Sequence, residues 1–264
     1  MPNFNGVWSL STHLQYVSDW PDASFVARAI VAGGDNNAGD STIIQYVSLA
    51  SSANFSDFGD LTVNAQDGVG AVSSKTRAVL ALSQDGSTNV INYITIATTG
   101  NADDFGDMSV NLKSTVASSS NSIRGLIHSE HNPEDADLIQ YITIATTGNS
   151  ATFGNLSQAR QNLGMSCASP TRALFAGGRS GGTEYDIIDY VTIASTGNAS
   201  DFGNLLSSVK FGAALSSNTR GVFGTGVHPS SHANTIQYVT IDTTGNATVQ
   251  TNDRQHNLRN KSRT

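Results

Sequence analysis

The stretch "IIDYVTIASTGNASDFGNL" at 187–205 recurs, with small changes, at four other places in the chain. The copies are "IIQYVSLASSANFSDFGDL" from 43, "VINYITIATTGNADDFGDM" from 90, "LIQYITIATTGNSATFGNL" from 138 and "TIQYVTIDTTGNATVQTND" from 235. Their tyrosines, Tyr46, Tyr93, Tyr141, Tyr190 and Tyr238, follow one another at intervals of 47, 48, 49 and 48 residues. A second marker keeps the same step: Arg28, Arg77, Arg124, Arg172 and Arg220 each open a short apolar run, as in "RAIVAGG", "RALFAGG" and "RGVFGTG". Two independent markers at one period define a repeat array, whose units bury their apolar faces only by stacking on one another. A length of 264 residues would otherwise suit one large domain or two ordinary ones, and the repeat decides for a single array.

Within a unit, the run after the arginine has the length of a buried strand and ends in glycines or small polar residues that permit a turn. The segment "IIDYVTIA" alternates and is rich in β-branched and aromatic residues, which predicts a half-buried strand. Next, "TGN" supplies a turn, since Gly and Asn tolerate positive φ, and "DFGNL" starts a third strand with Phe202 placed to fill the space between units. A segment such as "SSVKFGAALSSNT" leads back to the next arginine as the fourth. Four short strands in about 48 residues make a propeller blade, whereas helical repeats would need longer apolar runs at helical spacing.

The expectation is therefore an all-β chain: a β-propeller of five four-stranded blades over 28–250, between an N-terminal leader (1–27) and a basic C-terminal tail (251–264). Five blades are preferred to six because a sixth would require the leader to supply most of a blade, and the leader departs from the repeat. In the fifth unit "NATVQTND" replaces the Phe-Gly element, so closure is special there. An N-terminal strand near 10–27, or degenerate strands from 249–262, would complete the ring and remove exposed edges. The repeated arginines and tyrosines are read as structural positions between blades, each arginine pairing with an Asp or a carbonyl of a neighbouring unit.

Composition narrows the partners. Charged residues are 13% of the chain, hydrophobic residues 38%, and the formal net charge is −7. Arg254, Arg259, Lys261 and Arg263 fall in the last fourteen residues, leaving ten Lys/Arg against twenty Asp/Glu in residues 1–250. An acidic body does not favour nucleic-acid backbones, which reward clustered Lys and Arg. The single cysteine, Cys167, excludes an internal disulfide framework. The leader lacks the charged start and apolar run of an export signal, and no apolar stretch is long enough to cross a bilayer, so no membrane insertion is expected.

Chemistry in an array is sought where units differ. The loops "HSEHNPEDAD" and "VHPSSHANT" join first and second strands and share one face, which makes His128, Glu130, His131, His228 and His232 the candidate recognition loop residues. Their spacing does not form a helical zinc pair, and Asp35 and Asp40 lack the spacing of a calcium loop, so neither metal nor cofactor is expected. Ser180 sits in "GRSGG", which satisfies Gly-x-Ser-x-Gly, but no helix follows to make a nucleophile elbow. Trp8 and Trp20 both lie in the leader and, with Arg254, Arg259, Lys261 and Arg263 of the tail, are candidate partner-docking residues.

The order apolar run, Gly-Gly, loop, "IIDYVTIAS", "FGNL" resembles the kelch-type propeller repeat, with Gly33-Gly34 and Gly177-Gly178 matching its double glycine. Units two, three and five depart from it with "LALSQDG", "LIHSEHN" and "FGTGV", and Phe58, Phe105, Phe153 and Phe202 take the place of the tryptophan usual late in that repeat. Over 28–248, "YVTIASTGNASDFGNL" with "TRALFAGG" resembles the kelch-like repeats of bacteriophage structural proteins. The leader "FNGVWSLSTHLQYVSDWP" is similar to the opening of phage tail and fibre-associated proteins. That resemblance implies a non-enzymatic virion component of the tail or tail fibre. It would be oligomeric in the particle, docked on other virion proteins, with loops that meet a host surface glycan or receptor. The alternatives are a repeat lectin whose weak sites act together and, third, a hydrolase built on the unit-three loop.

Overall fold

The computed structural model describes residues 27–250, apart from 37–38, 51–52, 67, 85–87, 131–136, 162, 164, 225, 229–230 and 233–234. Among the described residues there is no helix, and all pairings between strands are antiparallel. The fourth sheet shows the plan: Met165–Ala168, Arg172–Ala176, Ile187–Thr192 and Ser200–Asn204 lie side by side in that order. In the fifth sheet the same order is Ala213–Ser216, Arg220–Gly224, Ile236–Thr240 and Thr248–Val249. The second sheet has Gly70–Ser73, Arg77–Ala81, Thr88–Thr95 and the start of Asp103–Ser120. That last strand runs on without a break as the first strand of the third sheet, followed there by Arg124–Glu130, Leu138–Thr143 and Ala151–Asn155. The first sheet holds Arg28–Ala32, Gly39–Ser48 and Ser56–Ala65.

The segment before Arg77, Arg124, Arg172 and Arg220 is thus not the last strand of the preceding unit, as the sequence suggested, but the first strand of the next sheet. A tight turn causes this. The side chain three residues before the arginine accepts backbone N–H groups of the turn: Ser74 Oγ takes those of Thr76 and Arg77, and Asn121 Oδ1 those of Ile123 and Arg124. Ser169 and Ser217 repeat the pattern before Arg172 and Arg220. Such side-chain caps fold the chain back at once, so the two flanking segments pair as a hairpin.

These first strands lie against one another. Ser118 Oγ donates to the Ala71 carbonyl at 3.1 Å, Ser166 Oγ to Ser118 at 2.7 Å and Ser216 Oγ to Ala168 at 2.7 Å. From this inner row the sheets fan outward in a propeller-like arrangement. Buried clusters fill the spaces between consecutive sheets, as in the set of Leu174, Ile188, Phe202, Phe223, Val239 and Ile241 between the fourth and fifth. The isoleucine two before the tyrosine shows how complete this burial is: Ile44, Ile91, Ile139 and Ile188 are all 0% exposed.

A second kind of contact ties neighbouring sheets near their rims. The "TGN" turn of the second to fifth units pairs with the Phe-Gly strand of the unit before it: Gly148 N–H donates to the Phe105 carbonyl at 2.7 Å and Ser150 N–H to Asp107 at 2.8 Å. Asn149 Oδ1 completes the junction by accepting the Asp107 N–H at 3.1 Å. Gly106 has φ +141, and a Cβ there would lie 2.6 Å from the Gly148 carbonyl carbon. The same approach brings Gly59 to Gly100, Gly154 to Gly197 and Gly203 to Gly245. Gly106→Ala is expected to lower unfolding stability by about 2–4 kcal/mol through strain and loss of the approach. Denaturant titration against the wild type measures it, and an unchanged midpoint would refute the steric account.

Candidate functional site

The repeated arginines lie over the repeated tyrosines. Guanidinium carbons of Arg28, Arg77, Arg124, Arg172 and Arg220 stand 4.3, 4.4, 4.4, 4.6 and 4.2 Å from the ring centroids of Tyr46, Tyr93, Tyr141, Tyr190 and Tyr238. Each of the first four then reaches the following sheet. Arg28 Nη1 donates to the Ile96 carbonyl at 2.7 Å, Arg77 to Ile144 at 3.0 Å, Arg124 to Ile193 at 2.7 Å and Arg172 to Ile241 at 3.1 Å. In the first four units the tyrosine also meets its own unit's phenylalanine edge-on, as Tyr141 does Phe153 at 6.0 Å. A planar, weakly hydrated cation suits a place between a ring face and a carbonyl.

The residue before the tyrosine makes the reciprocal contact, backwards. Asn92, Gln140, Asp189 and Gln237 are all buried. Their side-chain oxygens accept the backbone N–H of Thr62, Ser109, Ser157 and Leu206, each in the preceding unit, at 2.8, 2.8, 3.1 and 2.7 Å. The sequence carries this signal as a polar residue inside an otherwise apolar strand.

One junction differs. Where the others use an amide, the fourth unit has Asp189, and Arg160 Nη1 meets its Oδ2 at 2.9 Å with both side chains fully buried. Arg160 Nε also donates to the Gly177 carbonyl at 2.8 Å. Burial pulls the Arg160 guanidinium below its ordinary pKa, and the carboxylate of Asp189 opposes that pull. His128 packs beside this pair, with Nδ1 3.0 Å from the Leu138 carbonyl oxygen and Nε2 3.1 Å from that of Arg160.

His128 is therefore not a surface loop residue, as the sequence suggested; it lies in Arg124–Glu130 and is 1% exposed. Alternation in that strand turns it towards Phe175 of the next sheet, 6.4 Å between ring centroids. Glu130 ends the same strand, while His228 and His232 fall in the small hairpin of Val227–His228 with Ser231–His232. His131, Trp8, Trp20, Arg254, Arg259, Lys261 and Arg263 lie outside the described residues. Ser180 belongs to a two-stranded hairpin, Arg179–Ser180 with Thr183–Glu184, rather than to a strand-to-helix elbow. Gly33-Gly34 and Gly177-Gly178 share one conformation, with φ of 67 and 99 and of 69 and 98 degrees. Among the described residues no three His, Cys, Asp or Glu side chains are grouped as a metal site.

The inner turns meet in an open depression of about 590 Å3, lined by Ser74, Lys75, Asn121, Ser169, Pro170 and Asn218. It draws on the turns of four sheets and presents hydroxyl, amide and one ammonium group.

No family model and no curated protein sequence matches the chain. Among solved structures, one titled "Structure of YjhT" is similar in fold, with a TM-score of 0.66 and 11% identity over 85% of this chain and 81% of that one. This likeness agrees with an all-β, propeller-like arrangement of antiparallel sheets.

Asp189→Asn is expected to destabilise the fold by about 3–5 kcal/mol, because it leaves the Arg160 charge buried without its counterion. Thermal and denaturant unfolding measure the loss. Cys167 is 4% exposed, and burial pushes its thiol up to about 12. A thiol reagent at pH 8 should therefore label it only as fast as the protein unfolds. Rapid labelling of the folded chain would contradict the burial.

Proposed function

We propose that the chain is a non-enzymatic component of a phage particle, in the tail or tail fibre: a propeller of five repeated four-stranded blades that serves as a rigid platform for docking. The observation that carries the platform reading is the use of the repeated residues. Arginine, tyrosine, phenylalanine and glycine of the first four units are engaged between sheets, so the frame is held by the repeat and the unit-specific loops are left to differ. The virion assignment rests on the resemblance of the repeats and the leader to phage structural proteins. Docking would be to other virion proteins, with a host surface glycan or receptor met by the loops.

A second reading, a repeat lectin, is favoured by the depression over the inner turns, where serine, asparagine and lysine from several sheets converge. Repetition then gives avidity from weak sites. Cryo-electron microscopy of purified particles tests the first reading, which expects this chain in the assembled tail. Its absence from particles, together with selective signals on a glycan array, would replace the platform by the lectin.

A further inference from the structure

Two faces of the array lack the cover that every internal face has. In the fifth sheet Ile236 is 51% exposed at the position where Ile44, Ile91, Ile139 and Ile188 are 0% exposed. Leu215 of the same sheet is 67% exposed. Arg220 is stacked on Tyr238 and exposed, and among the described residues it has no hydrogen bond to a carbonyl such as the other four arginines reach. In the first sheet Val31 is 52% and Leu49 66% exposed, where Phe175, Phe223, Ile144, Ile193 and Ile241 are fully buried. Gln45, before Tyr46, is exposed although its four counterparts are buried acceptors.

These two faces are not fitted to each other. Every internal junction brings a Phe-Gly glycine against a "TGN" glycine. The fifth unit has Thr251 at the first position, and the first unit has Ala53 at the second. The leader departs from the full repeat but keeps two of its strand phrases. Its "LQYVS" at 14–18 repeats "IQYVS" at 44–48 in four residues of five, and "NGVWS" at 5–9 follows "RGVFG" at 220–224, with Trp8 in the place of Phe223.

We propose that residues 5–18 form a hairpin that covers the open face of the fifth sheet, adding a sixth, partial blade to the five repeated ones. The fifth sheet pairs Gly221 with Val239, Val222 with Tyr238 and Phe223 with Gln237. Copied onto the leader, that register pairs Gly6 with Val17, Val7 with Tyr16 and Trp8 with Gln15, leaving residues 10–13 as a four-residue hairpin loop. Trp8 and Val17 then take the places of Phe223 and Val239, 0% and 4% exposed and turned to the preceding sheet. The Asp19 carbonyl falls three residues after Tyr16, where Ile96, Ile144, Ile193 and Ile241 stand after their tyrosines, and receives Arg220. Val7, Leu14 and Tyr16 face the other way, towards the uncovered first sheet. Trp8 is then an interior residue and not an anchor for a virion neighbour.

Hydrogen exchange read by mass spectrometry on the full chain, kept monomeric at low concentration, tests this independently of the particle and glycan experiments. Amides of 14–18 should exchange at least about tenfold slower than free peptide, together with those of 236–240. Val17→Asp should speed both segments together and leave 138–143 unchanged. Unprotected exchange of 14–18 in the wild-type monomer would overturn the proposal, and it decides the case even should the variant fail to fold. Protection that appears only as the chain associates would overturn it too, and would assign the face to a second copy.

Discussion

The arginine that opens each of the first four units is the contact on which the arrangement depends. Its guanidinium lies on the tyrosine of its own sheet and donates to a carbonyl at the end of the next sheet's tyrosine strand. That carbonyl has no ladder partner of its own because the strand ends there in a turn, so a buried acceptor would be orphaned without the arginine. One side chain thus measures the distance between two sheets, holds the tyrosine against the phenylalanine, and closes the apolar cluster between them. The glycine-to-glycine approach fixes the same distance a few residues further out, where only a missing Cβ lets one backbone reach the other.

Because each junction repeats the same donors and acceptors, departures from the pattern are informative. The fourth unit replaces an amide by Asp189 and balances it with Arg160, an ion pair in the place of a neutral hydrogen bond. Such a pair adds little net stability over an apolar substitute but makes the junction intolerant of losing either partner. It also distinguishes this junction from the others, so the third and fourth sheets cannot exchange partners without burying an unpaired charge. The first and last sheets depart in another way, keeping one half of the junction each. An array with two such open ends exposes apolar surface on both, and the leader carries a sequence of the same pattern.

Much of the fold was legible because the repeat reports it twice. The alternation of "IIDYVTIA" gave the tyrosine strand, and the double glycines marked turns of one conformation at 33–34 and 177–178. The segment before Arg77, Arg124, Arg172 and Arg220 reads from the sequence as part of the wrong sheet. Propensity does not say which neighbour a strand pairs with; the cap at Ser74, Asn121, Ser169 and Ser217 does, and it is a pattern of one residue per unit. His128 misled for a similar reason, since a histidine near Pro and several acids reads as solvent-facing until the strand's register turns it inward.

The sequence by itself determined the period, the strand-forming segments and the identity of the contact residues, because a repeat under one packing constraint must keep the same side chains at the same places. Tertiary structure decided which segments share a sheet, which polar side chains are buried, and which faces remain open. Those outcomes depend on distances between residues some 30 to 70 positions apart in the chain, such as Arg124 and Ile193 or Arg160 and Asp189. No local pattern encodes such a distance, and it exists only once the sheets have stacked.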